Sequence, residues 1–201
     1  MKTTDLDDAQ VVGKVLRGQR ELFGIILERY QRPIFNFIYR FYGNYDLAEE
    51  LTQETFLRCY QFLKSYDPDR KFSTWLYTVA KNLCIDHYKK QRRGKEFSLD
   101  QALPSLERHE AMRSTETDPQ IACIRSQEDA RLLEALGELE PSRRVVLILF
   151  YFQGLSYQEI GEALGVPVST VKIRIFRAKK ALLEKMKGAL ESPEAVAGKR
   201  D

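Results

Sequence analysis

Histidine occurs only twice and tryptophan once in this chain of 201 residues. Cysteine is scarce as well. Cys59, Cys84 and Cys123 are odd in number, widely spaced and set in apolar stretches, which argues against a disulfide frame and for reduced, packed thiols. His87 and His109 form no paired spacing with them, so no metal site is expected. No catalytic triad or phosphate-cradling loop stands out, and Gly161 to Gly165 reads as a helix and turn too short for a nucleotide fingerprint. An enzyme is therefore not expected, and no cofactor is implied. Long hydrophobic runs are also missing: the longest, Val145 to Phe152, is far short of the ~20 residues that span a bilayer. The start, Met1-Lys2-Thr3-Thr4-Asp5, lacks the basic-then-apolar pattern of a secretory signal, so the expected place is the cytosol, with no membrane insertion. With 11 Gly and 7 Pro against 43% apolar and 30% charged residues, the composition is that of an ordered, helix-rich protein.

Charge is abundant but nearly balanced, at a formal +3. Its distribution is not balanced. From Lys81 to Lys95, six cations (Lys81, Lys89, Lys90, Arg92, Arg93, Lys95) face only Asp86. From Val168 to Gly188, seven (Lys172, Arg174, Arg177, Lys179, Lys180, Lys185, Lys187) face only Glu184. The intervening stretch from Glu96 to Ile124 is acidic, and Asp46, Glu49, Glu50 and Glu54 form an acidic block with no cation. Two basic segments parted by an acidic spacer suggest two contact points on one polyanion.

Apolar residues recur at helical spacing through the first ninety positions: Val11, Val12, Val15, Leu16; Leu22, Phe23, Ile26, Leu27, Tyr30; Ile34, Phe37, Ile38, Phe41. Asp46 and Glu49 have the form of a capping box opening a helix with Leu47, Leu51, Phe56 and Leu63 inward. Ser65 to Arg70 reads as a loop around Pro68, and a helix is expected from about Ser73 to Lys90. From Gln91 to Ser126 no period persists and Pro104 and Pro119 intervene, which predicts a linker. After it come Leu133, Leu136 and Leu139, Pro141 at a helix start, and the apolar run to Phe152, expected buried and ended by Gly154. Ser156 to Glu159 is a second capping box, leading to a helix near Leu164, a Gly165-Val166-Pro167 turn, and a long basic helix from about Val168; the tail from Ser192 is expected to fray. The expected fold class is all-α, two small helical domains joined by a flexible linker, divided as 1–91, linker 92–126, 127–190 and tail 191–201.

Helix, short glycine turn and basic helix make a helix-turn-helix. Ile160, Leu164, Val166, Val171 and Ile175 are spaced to pack the pair together, which leaves Ser169, Thr170, Lys172, Ile173, Arg174, Phe176, Arg177 and Lys180 outward. Arginine can donate twice to a guanine edge, while lysine and hydroxyls can hold phosphates. In the first half, Phe72-Ser73-Thr74-Trp75-Leu76-Tyr77 with Lys81 and Asn82 combines rings, an amide and cations after a polar loop, as capture of an unpaired base requires. On composition alone, core packing or helix capping is the safer reading of Trp75 and Asn82. The acidic block from Asp46 to Glu54 suits a helix N-terminus, and it could equally dock a basic protein surface.

Three stretches carry a resemblance. Asp46 to Leu57, DLAEELTQETFL, resembles the helix by which bacterial sigma factors bind the clamp helices of core RNA polymerase. Phe72 to Tyr88, FSTWLYTVAKNLCIDHY, resembles their minus-ten reading helix, and Gly154 to Leu182, GLSYQEIGEALGVPVSTVKIRIFRAKKAL, resembles region four, which reads the minus-thirty-five element. Order and spacing are similar to those of the extracytoplasmic-function group, which keeps only regions two and four. The resemblance implies polymerase contacts at Asp46, Glu49, Glu50, Gln53, Glu54 and Phe56. It implies a flipped-base pocket built from the loop Tyr66 to Phe72, with Arg70, Lys71, Trp75 and Asn82, and phosphate contacts at Lys81, Lys89 and Lys90. It implies minus-thirty-five contacts from Ser169, Thr170, Lys172, Arg174, Phe176, Arg177 and Lys180, and Ile173 departs from the small polar residue usual there, which suits a thymine methyl. Partners implied are core polymerase, promoter DNA and an anti-sigma protein; the linker would thread the polymerase channels toward the RNA exit path. The rival reading, an autonomous helix-turn-helix regulator, leaves the acidic helix unexplained and lacks an obvious dimerisation helix.

Overall fold

The computed structural model describes residues 6–97 and 127–191, and side chains over 6–93 and 129–187. Cys123, His109, most of the expected linker and the tail from Ser192 lie outside the described residues. Four helices build the first half: α1 (Asp8–Leu16), α2 (Phe23–Tyr42), α3 (Tyr45–Gln61) and α4 (Phe72–Phe97). Four more build the second: α5 (Gln127–Gly137), α6 (Pro141–Leu147), α7 (Tyr157–Leu164) and α8 (Val168–Glu191). Among the described residues there is no strand.

The apolar groups from Leu22 to Tyr30 and from Ile34 to Phe41 share one helix, α2, which continues through Pro33 at the loss of one backbone bond. Gly43, at φ 68°, ends α2 in the left-handed conformation that glycine adopts without strain. Ile26, Ile34, Phe37, Ile38 and Phe41 have no exposed surface and form the centre of this half. Helix α1 is stapled to α2 by Asp8, whose carboxylate accepts from Arg29 at 2.7 Å and from the Tyr30 hydroxyl at 2.5 Å. Cys59 and Cys84 are buried free thiols, and burial pushes the Cys59 thiol up to about 12, as suits packing rather than reactivity.

Several boundaries differ from expectation. The cap of α3 is Asn44, whose side chain accepts from the Leu47 N–H at 2.9 Å; Asp46 lies inside the first turn. Leu63 does face inward but from a separate 3₁₀ turn, Leu63–Ser65. Helix α4 runs through the basic segment to Phe97, six residues into the stretch expected as linker, because no proline intervenes and the single Gly94 is outweighed by good helix formers on both sides. The apolar run is not buried throughout: Val145 to Leu149 are inside, but Tyr151 is 53% exposed. Over the π turn Ile148–Phe152 only Tyr151 stands outward, while Phe150 and Phe152 still pack against the core, and Gly154 closes the element.

The two halves share one continuous apolar core. Helix α4 lies along α7, and α2 meets both α5 and the π turn.

Candidate nucleic-acid interface

The loop before α4 is tied from within. Tyr66 is buried, its hydroxyl donates to the Arg70 carbonyl at 2.7 Å, and Asp67 accepts from the Asp69 N–H at 3.0 Å and pairs with Arg70 at 3.3 Å. Phe72, 2% exposed, packs against Tyr66, Trp75 and Tyr30 with ring centroids 5.2 to 5.6 Å apart. Tyr66 and Phe72 are therefore the floor beneath the loop, and only Trp75, half-buried, offers a ring edge to solvent. Along α4, Trp75, Asn82 and Lys89 recur every seven residues and so line one stripe, roughly 21 Å long. Asn82, Lys89 and Lys90 are exposed. Lys81 is half-buried, and burial pulls its ammonium below the ordinary lysine value despite nearby Asp86. Lys71 is engaged: its ammonium pairs at 2.8 Å with Glu159 of the second half.

Helix α3 presents Asp46, Glu49, Glu50 and Gln53 on its exposed side, while Glu54 is half-buried and paired with Arg58 at 2.7 Å. Phe56 is 5% exposed and packs in the core, as its apolar spacing predicts, rather than on the docking side where the resemblance would put it. The apolar contact on this face is instead Leu57, 53% exposed and four residues after Gln53, with Tyr60 and Phe62 beyond it. The spacing 46, 49, 50, 53, 57 marks Leu57 in the sequence as a member of the acidic stripe.

In the second half the Ser156 hydroxyl accepts from the Glu159 N–H at 3.2 Å while the Glu159 carboxylate accepts from the Ser156 N–H at 2.8 Å, so the capping box forms as expected. Gly165 is left-handed at φ 64°, and the Val166 N–H reaches back to the Gly161 carbonyl at 2.9 Å. Gly161 was not singled out by sequence, yet a Cβ there would lie 2.9 Å from the Val166 carbonyl oxygen. Ile160, Val171 and Ile175 are buried between the helices, with Leu164 and Val166 partly so. Ser169, Lys172, Ile173, Arg174, Phe176, Arg177 and Lys180 are exposed and Thr170 is half-buried. Phe176 is 70% exposed and Ile173 51%, so two apolar side chains stand on the outward basic face. Lys172 lies over the Tyr157 ring, 5.7 Å from its centroid, which ties the face to the start of α7.

Comparison with known proteins decides the family. Residues 26–94 match Sigma-70 region 2, and residues 129–182 match Sigma-70, region 4. The chain is 34% identical over 179 residues to the ECF RNA polymerase sigma factor SigW of Bacillus subtilis, covering 88% of this chain and 95% of that one. The chain belongs to the extracytoplasmic-function sigma factors. The RNA polymerase sigma-H factor of Pseudomonas aeruginosa is also similar, at 33% identity over 190 residues, 89% of this chain and 93% of that protein. Two solved structures share the fold: CnrH in complex with the cytosolic domain of CnrY, at a TM-score of 0.67 and 24% identity over 92% of this chain and 99% of that chain, and the Bartonella quintana sigma factor RpoE in complex with the anti-sigma factor NepR, at 0.63 and 24% over 82% and 96%. This sigma factor is accordingly an alternative specificity subunit of RNA polymerase that binds DNA and acts in transcription initiation; sigma factors are not enzymes in the catalytic sense. No helix among its described residues is long and apolar enough to cross a membrane.

Proposed function

We propose that this sigma factor divides promoter recognition between two surfaces, the loop and stripe of α4 for the minus-ten strand and the outer face of α8 for the minus-thirty-five duplex, while the acidic side of α3 docks core polymerase. Region two then spans residues 1–91 and region four 127–190. The observation that carries this reading is the pairing of an exposed amide and cations on α4 with a second basic face on a capped helix-turn-helix. Trp75 and Asn82 take an unpaired base of the non-template strand, with Tyr66 and Phe72 as rigid support rather than direct contacts. Lys81, Lys89 and Lys90 hold phosphates. Arg174 and Arg177 read base edges, Ile173 and Phe176 cover methyl groups, and Ser169, Thr170, Lys172 and Lys180 set register.

Unstacking a base costs roughly a few kcal/mol, and contacts made only with the open strand offset it. Asp46, Glu49, Glu50, Gln53 and Glu54 meet the polymerase, with Leu57 at the centre of that contact. The work is done in the cytosol, where core polymerase is. An anti-sigma protein covering the polymerase-docking side is the expected regulator; the fold relative RpoE, solved in complex with the anti-sigma factor NepR, supports that inference. Purified chain added to core polymerase and genomic promoter fragments is expected to give discrete transcripts that depend on both elements. Absence of any specific transcript across the genome rejects the reading.

A further inference from the structure

The single tryptophan of the chain, Trp75, is the half-buried tip of a group of four rings. Behind it, Tyr66 and Phe72 pack on each other and on Trp75, with centroids 5.2 to 5.8 Å apart. The fourth ring is Tyr30 of α2, 5.6 Å from Phe72. Ring faces and edges can meet in several arrangements of similar strength, so the direction of such a group is set by its polar handles. Two of the four rings carry a hydroxyl. That of Tyr66 donates to the Arg70 carbonyl at 2.7 Å, within the loop itself. That of Tyr30 reaches away from the loop to the carboxylate of Asp8, the first residue of α1, at 2.5 Å. An ionised acceptor makes this the stronger kind of hydrogen bond.

Asp8 is itself held in place. Its other oxygen accepts from Arg29 at 2.7 Å, and the same guanidinium donates to the Leu6 carbonyl at 2.6 Å. Asp7 caps α1 in a reciprocal box with Gln10. Helix α1 also packs on the 3₁₀ turn Leu63–Ser65, which leads directly into Tyr66. Burial pushes the Tyr30 hydroxyl above its ordinary value and the bond to Asp8 adds to that, so the hydroxyl remains a donor. Burial raises the Tyr66 hydroxyl too, and the nearby charges of Asp8 and Asp7 raise it further. The start of α1 therefore stands beside both hydroxyl-bearing rings of the group.

Joining α1 to α2 needs only Arg29, whose pairing with Asp8 is complete without the tyrosine. The second oxygen is committed to a ring whose next neighbour is Phe72, and Phe72 touches Trp75. A path of direct contacts thus runs from Asp8 through Tyr30 and Phe72 to the one ring of the group that reaches solvent. A base stacked on an aromatic side chain gains roughly 5- to 150-fold in affinity, and a ring held at the wrong tilt forfeits part of that gain.

We propose that Asp8 is a positioning residue for the minus-ten site: through Tyr30 and Phe72 it sets the tilt of Trp75, on which the unpaired base stacks. This rests on the minus-ten reading of α4 given above. Asp8 touches no DNA in this arrangement. It acts before the base arrives, by removing alternative ring orientations that the incoming base would otherwise have to select against.

Tyr30→Phe removes the hydroxyl and keeps the ring. In the free full chain, emission from the only tryptophan should shift and its quenching by acrylamide should rise, at unchanged helix content. Assembled with core polymerase, the variant should bind a promoter fragment unpaired across the minus-ten element about fivefold more weakly than wild type, with fully duplex binding unchanged. Asp8→Ala should match it, and Asp8→Asn, which keeps an acceptor for the hydroxyl, should fall between the two. Val12→Ala loosens the packing of α1 from a buried position without touching Asp8, and should leave both affinities and the emission as in wild type. Unchanged emission or unchanged affinity for the unpaired fragment in Tyr30→Phe, an equal loss on duplex, or the same loss in Val12→Ala each overturns the positioning role. A wild-type complex that binds the unpaired fragment no better than duplex rejects the minus-ten reading itself, and with it the role argued from it.

Discussion

Asn82 and Phe72 differ in what the chain around them allows, although both lie on α4. Phe72 is locked among three rings, so its replacement disturbs the loop and the fold together. Asn82 is exposed, and Asn82→Ala is expected to leave thermal stability within about 0.5 kcal/mol while impairing strand opening more than duplex binding. Permanganate footprints beside gel shifts check this, and equal losses in both remove Asn82 from the pocket. On α8, Arg174→Ala or Arg177→Ala should relax base choice at one position by about 1–3 kcal/mol, the worth of a bidentate arginine–guanine pairing. Site selection from a random duplex library measures it; an unchanged preference removes that arginine from the readers. The apolar spacing showed which face of α8 packs and therefore which residues stand out. The same logic put Phe56 inward on α3, where it lies, against the resemblance that set it among the docking residues; Leu57 holds the outer side.

At the scale of elements, the recognition pair depends on two small features of α7. Ser156→Ala removes one side of the capping box and should cost about 1 kcal/mol. Gly161→Ala should cost more, about 1–3 kcal/mol, because the new Cβ would meet a backbone carbonyl at 2.9 Å that cannot move without opening the turn. Urea unfolding of both variants gives the order, and a Gly161→Ala protein as stable as wild type contradicts the close approach. The Ser156–Glu159 box was legible because hydroxyl and carboxylate stand three residues apart before an apolar pattern. The Gly161 contact was not, since it joins α7 to the turn through space. The helix ends were less legible. Asn44 rather than Asp46 caps α3, and α4 outlasts its apolar period because charged residues such as Lys90 and Arg92 are good helix formers without a core to face.

For the whole molecule, Glu159 is the titratable link between halves. Partial burial pushes its carboxyl up, but bonds from Lys71 and from Ser156 outweigh burial and hold it below its ordinary value. A carboxyl lowered by folding contributes stability that is complete above the ordinary glutamate value of about 4.3 and is lost as pH falls through the lowered one. The stability of the second half should therefore be level through neutral pH and fall on acidification below that range. Glu159→Gln, compared with wild type by thermal melts from neutral to acid, should flatten part of that fall; an identical profile removes Glu159 from the link. Sequence by itself determined that this chain is helical, which faces its helices bury, and that two basic segments flank an acidic spacer, because each of these is periodicity or charge along one chain. Only the tertiary structure decided that Arg144 sits among carbonyls of both halves and that Lys71 is paired across the boundary. Those facts depend on which helix end meets which, and a burial preference read along one strand does not specify its partner.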